Sequence, residues 1–408
     1  IEQAVEVALA KATGKSLKAK FKPGTYKSQA YGNNGYLNVE VTVTKDKIKS
    51  IKVPANQETP FMGGMAIKSI SDDIVRYQTL NVDAVSGATV TSAAFKQAVG
   101  AALTQSGVNL AALQKPVPQK IKKFKGTRSE SYDLVIVGAG GAGLSAAGQA
   151  GKYRVIVLEK MPVIGGNTLR CASAFNTADP ERQKLLPMTD TLKDAVVKAI
   201  SEKPVSEEHR KLMADVKAKY EAYLASGSKT LFDCPEWHAL QTYNGGDKVG
   251  HIPLIRTYAA NTLDTLHWMQ KLGTPVLDRV SQGAGALWQR THQVDAPAGT
   301  GLVEPLYKAA VKEGTKIVTG MKAESLIVKN GRVVGVRASD KVGNNYAFNA
   351  KYGVILATGG YSQNKVLRQR SAPQLTADMV STNQPGATGD GIVMATKIGA
   401  YTTGMNYV

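Results

Sequence analysis

The sequence predicts an α/β chain in two parts: a small α+β module, then a larger Rossmann-like domain. Three observations predict it. Residues 37–43 alternate apolar and polar as a half-buried strand does, and helical spacing follows. Residues 113–131, rich in Lys and Pro, hold neither period and read as an extended linker. Beyond them come the apolar run 134–137, the glycine turn 138–143 and a second apolar run, Val155–Leu158. Strand, turn, helix and strand in that order belong to a parallel sheet buried on both faces.

Each element follows from its pattern. Leu37, Val39, Val41 and Val43 share one strand face, with Asn38, Glu40, Thr42 and Thr44 on the other. Lys45-Asp46 turns the chain into a second strand holding Ile48, Ile51 and Val53. At 66–77, Ile67, Ile70 and Ile74 recur at three- and four-residue spacing, an amphipathic helix. After the loop 86–89, Thr91 or Ser92 caps a helix that buries Phe95 and Val99. These elements make a module at 18–112, joined by the 113–131 linker to a domain at 132–408. In that domain 190–275 is mainly helical, as at 192–200 and 257–272. Residues 316–318, 324–328, 333–338 and 354–357 are strand-like, with a turn at Lys329-Asn330-Gly331.

An internal echo bears on the architecture. Ile1-Glu2-Gln3-Ala4-Val5 through Ala8-Leu9 matches Phe95-Lys96-Gln97-Ala98-Val99 through Ala102-Leu103 at Gln, Ala, Val, Ala and Leu. Residues 1–17 then read as the tail of a preceding module of the same kind; chance likeness between Ala-rich helices is the alternative.

Composition excludes several classes. The 408 residues suffice for two or three cores, and 43% hydrophobic with 20% charged residues is ordinary for a globular chain. No apolar run is long enough to span a membrane, so an integral membrane protein is not expected. The chain starts at Ile1 without a visible signal peptide, and its true N-terminus is expected to lie upstream. Cys171 and Cys234 fit no zinc, iron–sulfur or haem spacing and read as small buried hydrophobes. The five histidines form no ligand pair, so no metal is expected. The net charge of +19 divides into +10 over residues 1–130 and +9 over the rest. So even a spread, without a helix-turn-helix or zinc-finger pattern, argues against a nucleic-acid partner. It reads as a solvated basic surface, or as one drawn to an anionic cell envelope or to carboxylate substrates.

Two motifs carry chemistry. In Gly138-Ala139-Gly140-Gly141-Ala142-Gly143 the first glycine permits a tight turn. The next lets the backbone approach a pyrophosphate, and the last lets helix and strand pack closely. Glu159, 21 residues after Gly138 at the end of the second strand, is placed to bind ribose hydroxyls. The other motif is Asp83-Ala84-Val85-Ser86-Gly87-Ala88-Thr89, which resembles the recognition sequence for covalent attachment of FMN through a threonine phosphoester.

Further along come Lys160, Gly165-Gly166-Asn167-Thr168, Ala357-Thr358-Gly359-Gly360 and the run STNQPGATGDG at 381–391. This set resembles the FAD domain of the fumarate reductase, urocanate reductase and succinate dehydrogenase superfamily, and above all the soluble single-chain fumarate and urocanate reductases. The resemblance implies a non-covalent FAD bound by Gly138, Ala139, Gly140, Gly141, Ala142, Gly143, Glu159, Lys160, Gly166, Asn167, Thr168, Ala172, Ser173, Ala323, Thr358, Gly359, Gly360, Gly389 and Asp390. It also implies an FMN that a flavin transferase joins to Thr89, with Asp83, Ser86, Gly87 and Ala88 in the recognition turn.

The chain departs from the family in three places. The helix between Gly143 and Glu159 is about two residues short, and Ala172-Ser173-Ala174 stands where relatives often carry paired glycines. In relatives a His-Pro segment, a capping domain with the proton-donor arginine and a final strand follow the equivalent of Tyr407-Val408. The FAD domain is therefore expected to be partial, without the cap, and no catalytic residue is assigned.

The resemblance implies an FAD-dependent oxidoreductase acting on CH–CH bonds. Electrons pass from covalent FMN to FAD and then, as hydride, to the double bond of a small α,β-unsaturated carboxylate, fumarate or urocanate. It also implies an upstream membrane or extracellular electron donor, a role in anaerobic respiration, and export to the periplasm or cell surface. Two alternatives stay open: a flavin-dependent dehydrogenase or oxidase of the same superfamily, and a multi-flavin carrier without a substrate. Within Leu287-Trp288-Gln289-Arg290-Thr291-His292, Trp288, Arg290 and His292 either line a cleft, or Trp288 is buried and His292 lies at the surface; the second reading is preferred.

Overall fold

The computed structural model describes residues 17–85, 87–117, 123–376 and 378–407, with residues 5, 12 and 13. Most of the 1–17 echo, and Ser86 of the attachment turn, lie outside them. The chain divides into two compact units. The first comprises residues 1–167, 310–368 and 376–400, the second 168–309, 369–375 and 401–408.

The first unit opens with an antiparallel meander, β1 (Gly24–Tyr31), β2 (Tyr36–Val43) and β3 (Ile48–Lys52). Strand β1 was not foreseen. The expected alternation holds in β2, where Leu37, Val39, Val41 and Val43 are all buried. A register shift between Thr42 and Val43 lets Ile48 and Ile51, three residues apart, both turn to the core. Two helices cover that face: α1 (Met65–Tyr77), through Ile67, Ile70 and Ile74, and α2 (Thr89–Gln105), through Phe95, Val99 and Leu103.

The start of α2 corrects the predicted cap. The helix begins at Thr89, with Ala88 in the capping position, two residues ahead of Thr91. Neither candidate hydroxyl caps it. Thr91 Oγ1 donates to Glu58 Oε2, and Ser92 Oγ donates back to the Ala88 carbonyl.

A mixed six-stranded sheet follows. Its strands are β4 (Thr127–Val137), β5 (Val155–Leu158), β9 (Lys316–Val318), β10 (Met321–Lys329), β11 (Arg332–Asp340) and β12 (Asn345–Leu356), in the order β10-β11-β12-β4-β5-β9. Strands β12, β4, β5 and β9 run parallel, and β10, β11 and β12 are antiparallel. The linker is shorter than expected, because residues 127–131 already pair with β12. The turn at Lys329-Asn330-Gly331 forms as predicted: Asn330 and Gly331 both have positive φ, as a two-residue hairpin turn requires. Helix α3 (Gly141–Gly148) crosses between β4 and β5.

The second unit interrupts this sheet in sequence. It carries β6 (Ala174–Asn176), α4 (Pro180–Gln183), α5 (Asp190–Ile200), α6 (Glu207–Ala225), α7 (Pro235–Gly245) and α8 (Ile252–Lys271). Strands β7 (Val276–Ser281) and β8 (Thr291–Val294) follow, with most of α9 (Thr300–Lys312). Here β8 lies between β6 and β7 in an antiparallel sheet. The helices enclose a core of their own around Leu212, Val216, Trp237, Leu240 and Trp288. The stretch 132–408, read from sequence as one domain, thus contains a helical body with an independent core. Back in the first unit, α11 (Asp390–Thr396) follows α10 (Lys365–Ser371), whose last residues fall in the second unit.

Candidate flavin sites

The glycine turn sits where β4 and β12 end side by side. Gly138 has φ +106°, and a Cβ there would meet the Ala357 carbonyl oxygen. A Cβ on Gly143 would run into the Gly138 carbonyl. With neither side chain present, α3 begins directly behind the strand, and its N-terminal dipole faces the turn. The Gly165 N–H donates to the Ala139 carbonyl at 2.7 Å, bringing Gly165-Gly166 beside the turn.

Glu159 stands beneath this cradle, 9% exposed. One carboxylate oxygen accepts the Ala139 N–H at 2.9 Å and the other the Met161 N–H at 2.8 Å. Burial raises its pKa, against those two hydrogen bonds. Each oxygen keeps a second lone pair for a hydroxyl. The residues therefore fit a dinucleotide: bare glycines at the closest approach, a helix start for the phosphates and a carboxylate one strand away.

Residues 381–391 close the same site from β12 and α11. Lys160 Nζ donates to Asp390 Oδ2 at 2.8 Å and to Thr388 Oγ1 at 2.5 Å. Gly389, φ +75°, donates its N–H to the Gly360 carbonyl at 3.0 Å. Gly391 leaves room for the Thr358 side chain, whose Oγ1 lies where a Cβ would fall. Asn167 holds the run's other end, donating to Asn383 Oδ1 and accepting the Gln384 N–H at 2.7 Å. Lys160, Asn167, Thr358, Gly360, Gly389 and Asp390 are thus brought together by the 381–391 run. Ala323 is buried in β10, in the core cluster that also takes Met394 of α11.

Thr168, Ala172 and Ser173 fall in the second unit. Ser173 has φ +57°, a left-handed conformation that favours glycine. Its hydroxyl donates to the Ala298 carbonyl, and the Ala172 carbonyl accepts Gln293 Nε2 at 2.9 Å.

In the small module Thr89 is exposed at the first position of the 17-residue helix α2, behind Gly87 at φ +89°. Asp83 is exposed, and Ala88 is buried. A phosphate ester there would lie at the positive end of the helix. That placement fits FMN.

The 287–292 segment meets expectation at Trp288 and departs from it at His292. Trp288 is buried, its indole N–H donating to the Phe232 carbonyl at 3.0 Å. His292 is not at the surface: it is fully buried, Nε2 3.1 Å from Asp179 Oδ2 and Nδ1 3.1 Å from the Arg290 carbonyl. Asp179 lies 113 residues away, so no local pattern announced it. Trp288 and Arg290 line a cleft of about 110 Å³ with Asn176, His238, Gln241 and Thr242, and His292 does not. Arg290 Nε and Nη2 grip Asp233 at 3.0 and 2.8 Å, and Nη2 also reaches Gln241. Burial lowers the His238 pKa to about 3, with the charge of Arg290 adding to it, so that imidazole is neutral at pH 7. The cysteines are free, but both are only partly buried where full burial was expected, and Cys234 Sγ caps α7 by accepting the Trp237 N–H at 3.4 Å.

Comparison with known proteins agrees with the geometry. The FAD-binding domain family matches residues 133–219 and 221–408, and the chain belongs to it. An FMN-binding domain matches residues 32–104. The chain is similar to an NADH:acrylate oxidoreductase of Vibrio harveyi, 34% identical over 95% of this chain and 41% of that one. It is 32% identical to a urocanate reductase of Eggerthella lenta over 93% of this chain and 56% of that one. Among solved structures, the open conformation of a flavocytochrome c3 fumarate reductase superposes with TM-score 0.54 at 28% identity, over 69% of this chain and 43% of that one. The chain therefore spans about half the length of these relatives. It is a flavoprotein chain with an FAD-binding and an FMN-binding domain.

The Lys160–Asp390 pair predicts a pH dependence. Burial works against ionisation of Asp390, but the hydrogen bonds from Lys160 and Thr388 and the charges of Lys160 and Lys322 outweigh it and lower its pKa. A folded value below the unfolded one means stability fully present above the ordinary 3.8 and lost as pH falls through the folded value. Asp390→Asn should be less stable than wild type at pH 7, and the gap should close below pH 3.8. Urea melts at both pH values measure this; a gap that persists unchanged in acid would refute the pairing.

Proposed function

We propose that this chain is the flavin-carrying part of a reductase of small α,β-unsaturated carboxylates. Electrons enter at FMN on Thr89, pass to FAD in the glycine-turn domain and leave to the substrate double bond. The supporting observation is the pairing of an exposed Thr89 at a helix start with a dinucleotide cradle on the same chain. An oxidase can discharge electrons to oxygen without a second flavin, so the added module favours a reductase. Fumarate and urocanate are the main candidates, and the Vibrio relative adds acrylate.

Bound flavin supplies the hydride, two electrons and one proton; an acid group must supply the second proton. The residues of this chain bind and orient. The 138–143 turn receives the pyrophosphate, Glu159 the ribose, and the Lys160–Asp390 pair fixes the 388–391 loop. The proton donor is not assigned.

The test uses the full gene product with fumarate, urocanate and acrylate, reduced either by a chemically reduced dye or by the physiological donor. Thr89→Ala should lose donor-driven turnover by about tenfold or more while dye-driven turnover survives, because positioning of the first flavin fails and the second is intact. Equal loss with both reductants would contradict the order of the flavins.

We also propose export, on the resemblance to soluble single-chain reductases whose FMN modules receive electrons outside the cytoplasm. Among the described residues no helix is long and apolar enough to cross a membrane. Cell fractionation should find the flavinylated protein in the periplasm or at the cell surface; recovery in cytosol alone would overturn this.

A further inference from the structure

One buried group in the FMN-binding module has no part in the residues assigned above. Glu58 is 6% exposed and pairs with no cation among the described residues. Its Oε1 accepts the Asn33 N–H at 2.7 Å and the Asn34 N–H at 3.2 Å, both in the β1–β2 loop. Its Oε2 accepts the Thr91 hydroxyl at 2.5 Å. Gly63 is bare against it: a Cβ there would lie 2.6 Å from Oε2 and 3.1 Å from Thr91 Oγ1. The carboxylate thus ties the hairpin loop to the first turn of α2, two residues past Thr89.

A second tie holds the same turn from the other side. Ser92 Oγ accepts the Val85 N–H at 3.1 Å and donates to the Ala88 carbonyl at 2.7 Å. First turns of helices fray because their N–H groups lack intrahelical partners. An uncompensated buried carboxylate is costly, and three donors, one of them a short hydroxyl bond, offset that cost. Such a group makes sense where the position of a turn matters.

We propose that Glu58 is a positioning residue for flavin attachment. Through Thr91 it fixes the first turn of α2, and with it the Thr89 hydroxyl, in the geometry that attacks the flavin phosphate. This inference rests on the reading that Thr89 carries FMN. In the attachment step a flavin dinucleotide is the donor. The Thr89 oxygen forms a bond to the flavin-side phosphorus, the bond between the two phosphates breaks, and the nucleoside monophosphate leaves. The hydroxyl proton passes to a base of the transferase, and nothing is oxidised or reduced. In-line attack of this kind depends steeply on orientation.

The experiment incubates the 408-residue chain with flavin transferase and FAD and follows FMN on Thr89 by intact mass, well below the melting midpoint. Glu58→Gln can keep the tie, its amide oxygen accepting from the hairpin and its NH₂ donating to Thr91. Thr91→Ser keeps the hydroxyl, whereas Thr91→Val keeps the shape and loses it. Glu58→Gln and Thr91→Ser should react within about twofold of wild type, and Thr91→Val and Glu58→Ala should lower kcat about tenfold with KM little changed. Should Glu58→Ala fail to fold, Thr91→Val decides. Attachment to Thr91→Val at the wild-type rate, or a loss no larger than its unfolded fraction, overturns the proposal. Thr89→Ala is the control: covalent flavin retained there would sink the Thr89 reading itself, whatever Thr91→Val shows.

Discussion

The FAD-binding half depends on a place where no side chain fits. The Gly138 carbonyl occupies the position of a Cβ on Gly143, and the Ala357 carbonyl that of a Cβ on Gly138. Three backbone segments, the end of β4, the start of α3 and the end of β12, therefore approach to a distance that only glycine permits. That approach sets the angle at which α3 leaves the sheet, and with it the direction of the helix start at which a pyrophosphate is received. It also brings the 358–360 segment, which continues β12, beside the turn.

Charge then finishes what the backbone begins. Lys160, next after Glu159, reaches across to Thr388 and Asp390, while Asn167 takes hold of Asn383 and Gln384. The long 381–391 run has little regular structure before α11, and these side-chain bonds give it a fixed course. The small module uses the same device on a smaller scale, with Glu58 and Ser92 holding the turn that presents Thr89.

What was legible in the sequence was local. The β2 alternation, the Ile67, Ile70 and Ile74 stripe and the 138–143 glycines each declare themselves within a few residues, because period and backbone freedom are short-range properties. Residues 127–131 looked like linker because Thr, Arg, Ser, Glu and Ser carry no apolar signal; they are strand only because β12, more than 200 positions later, pairs with them. The same holds for His292. Its partner Asp179 arrives from another element, so a histidine in a polar stretch read as surface although it is fully buried. Glu58 was missed for a related reason: its three donors come from the β1–β2 loop and from α2, and only the fold joins them. The helical unit was legible as helices but not as a body, since a core around Trp237 and Trp288 is a fact of packing.

On the reading proposed above, one chain carries two flavins in two independent sites, one joined through Thr89 and one held in the 138–143 cradle. A flavin inventory after acid precipitation tests it most directly, on wild type and on Gly143→Ala, both made with the flavin transferase. Each precipitate should retain one FMN, and wild type should release one FAD but Gly143→Ala none, because its added Cβ would strike the Gly138 carbonyl. Release of FAD from both proteins in equal amount would contradict the placement of that site.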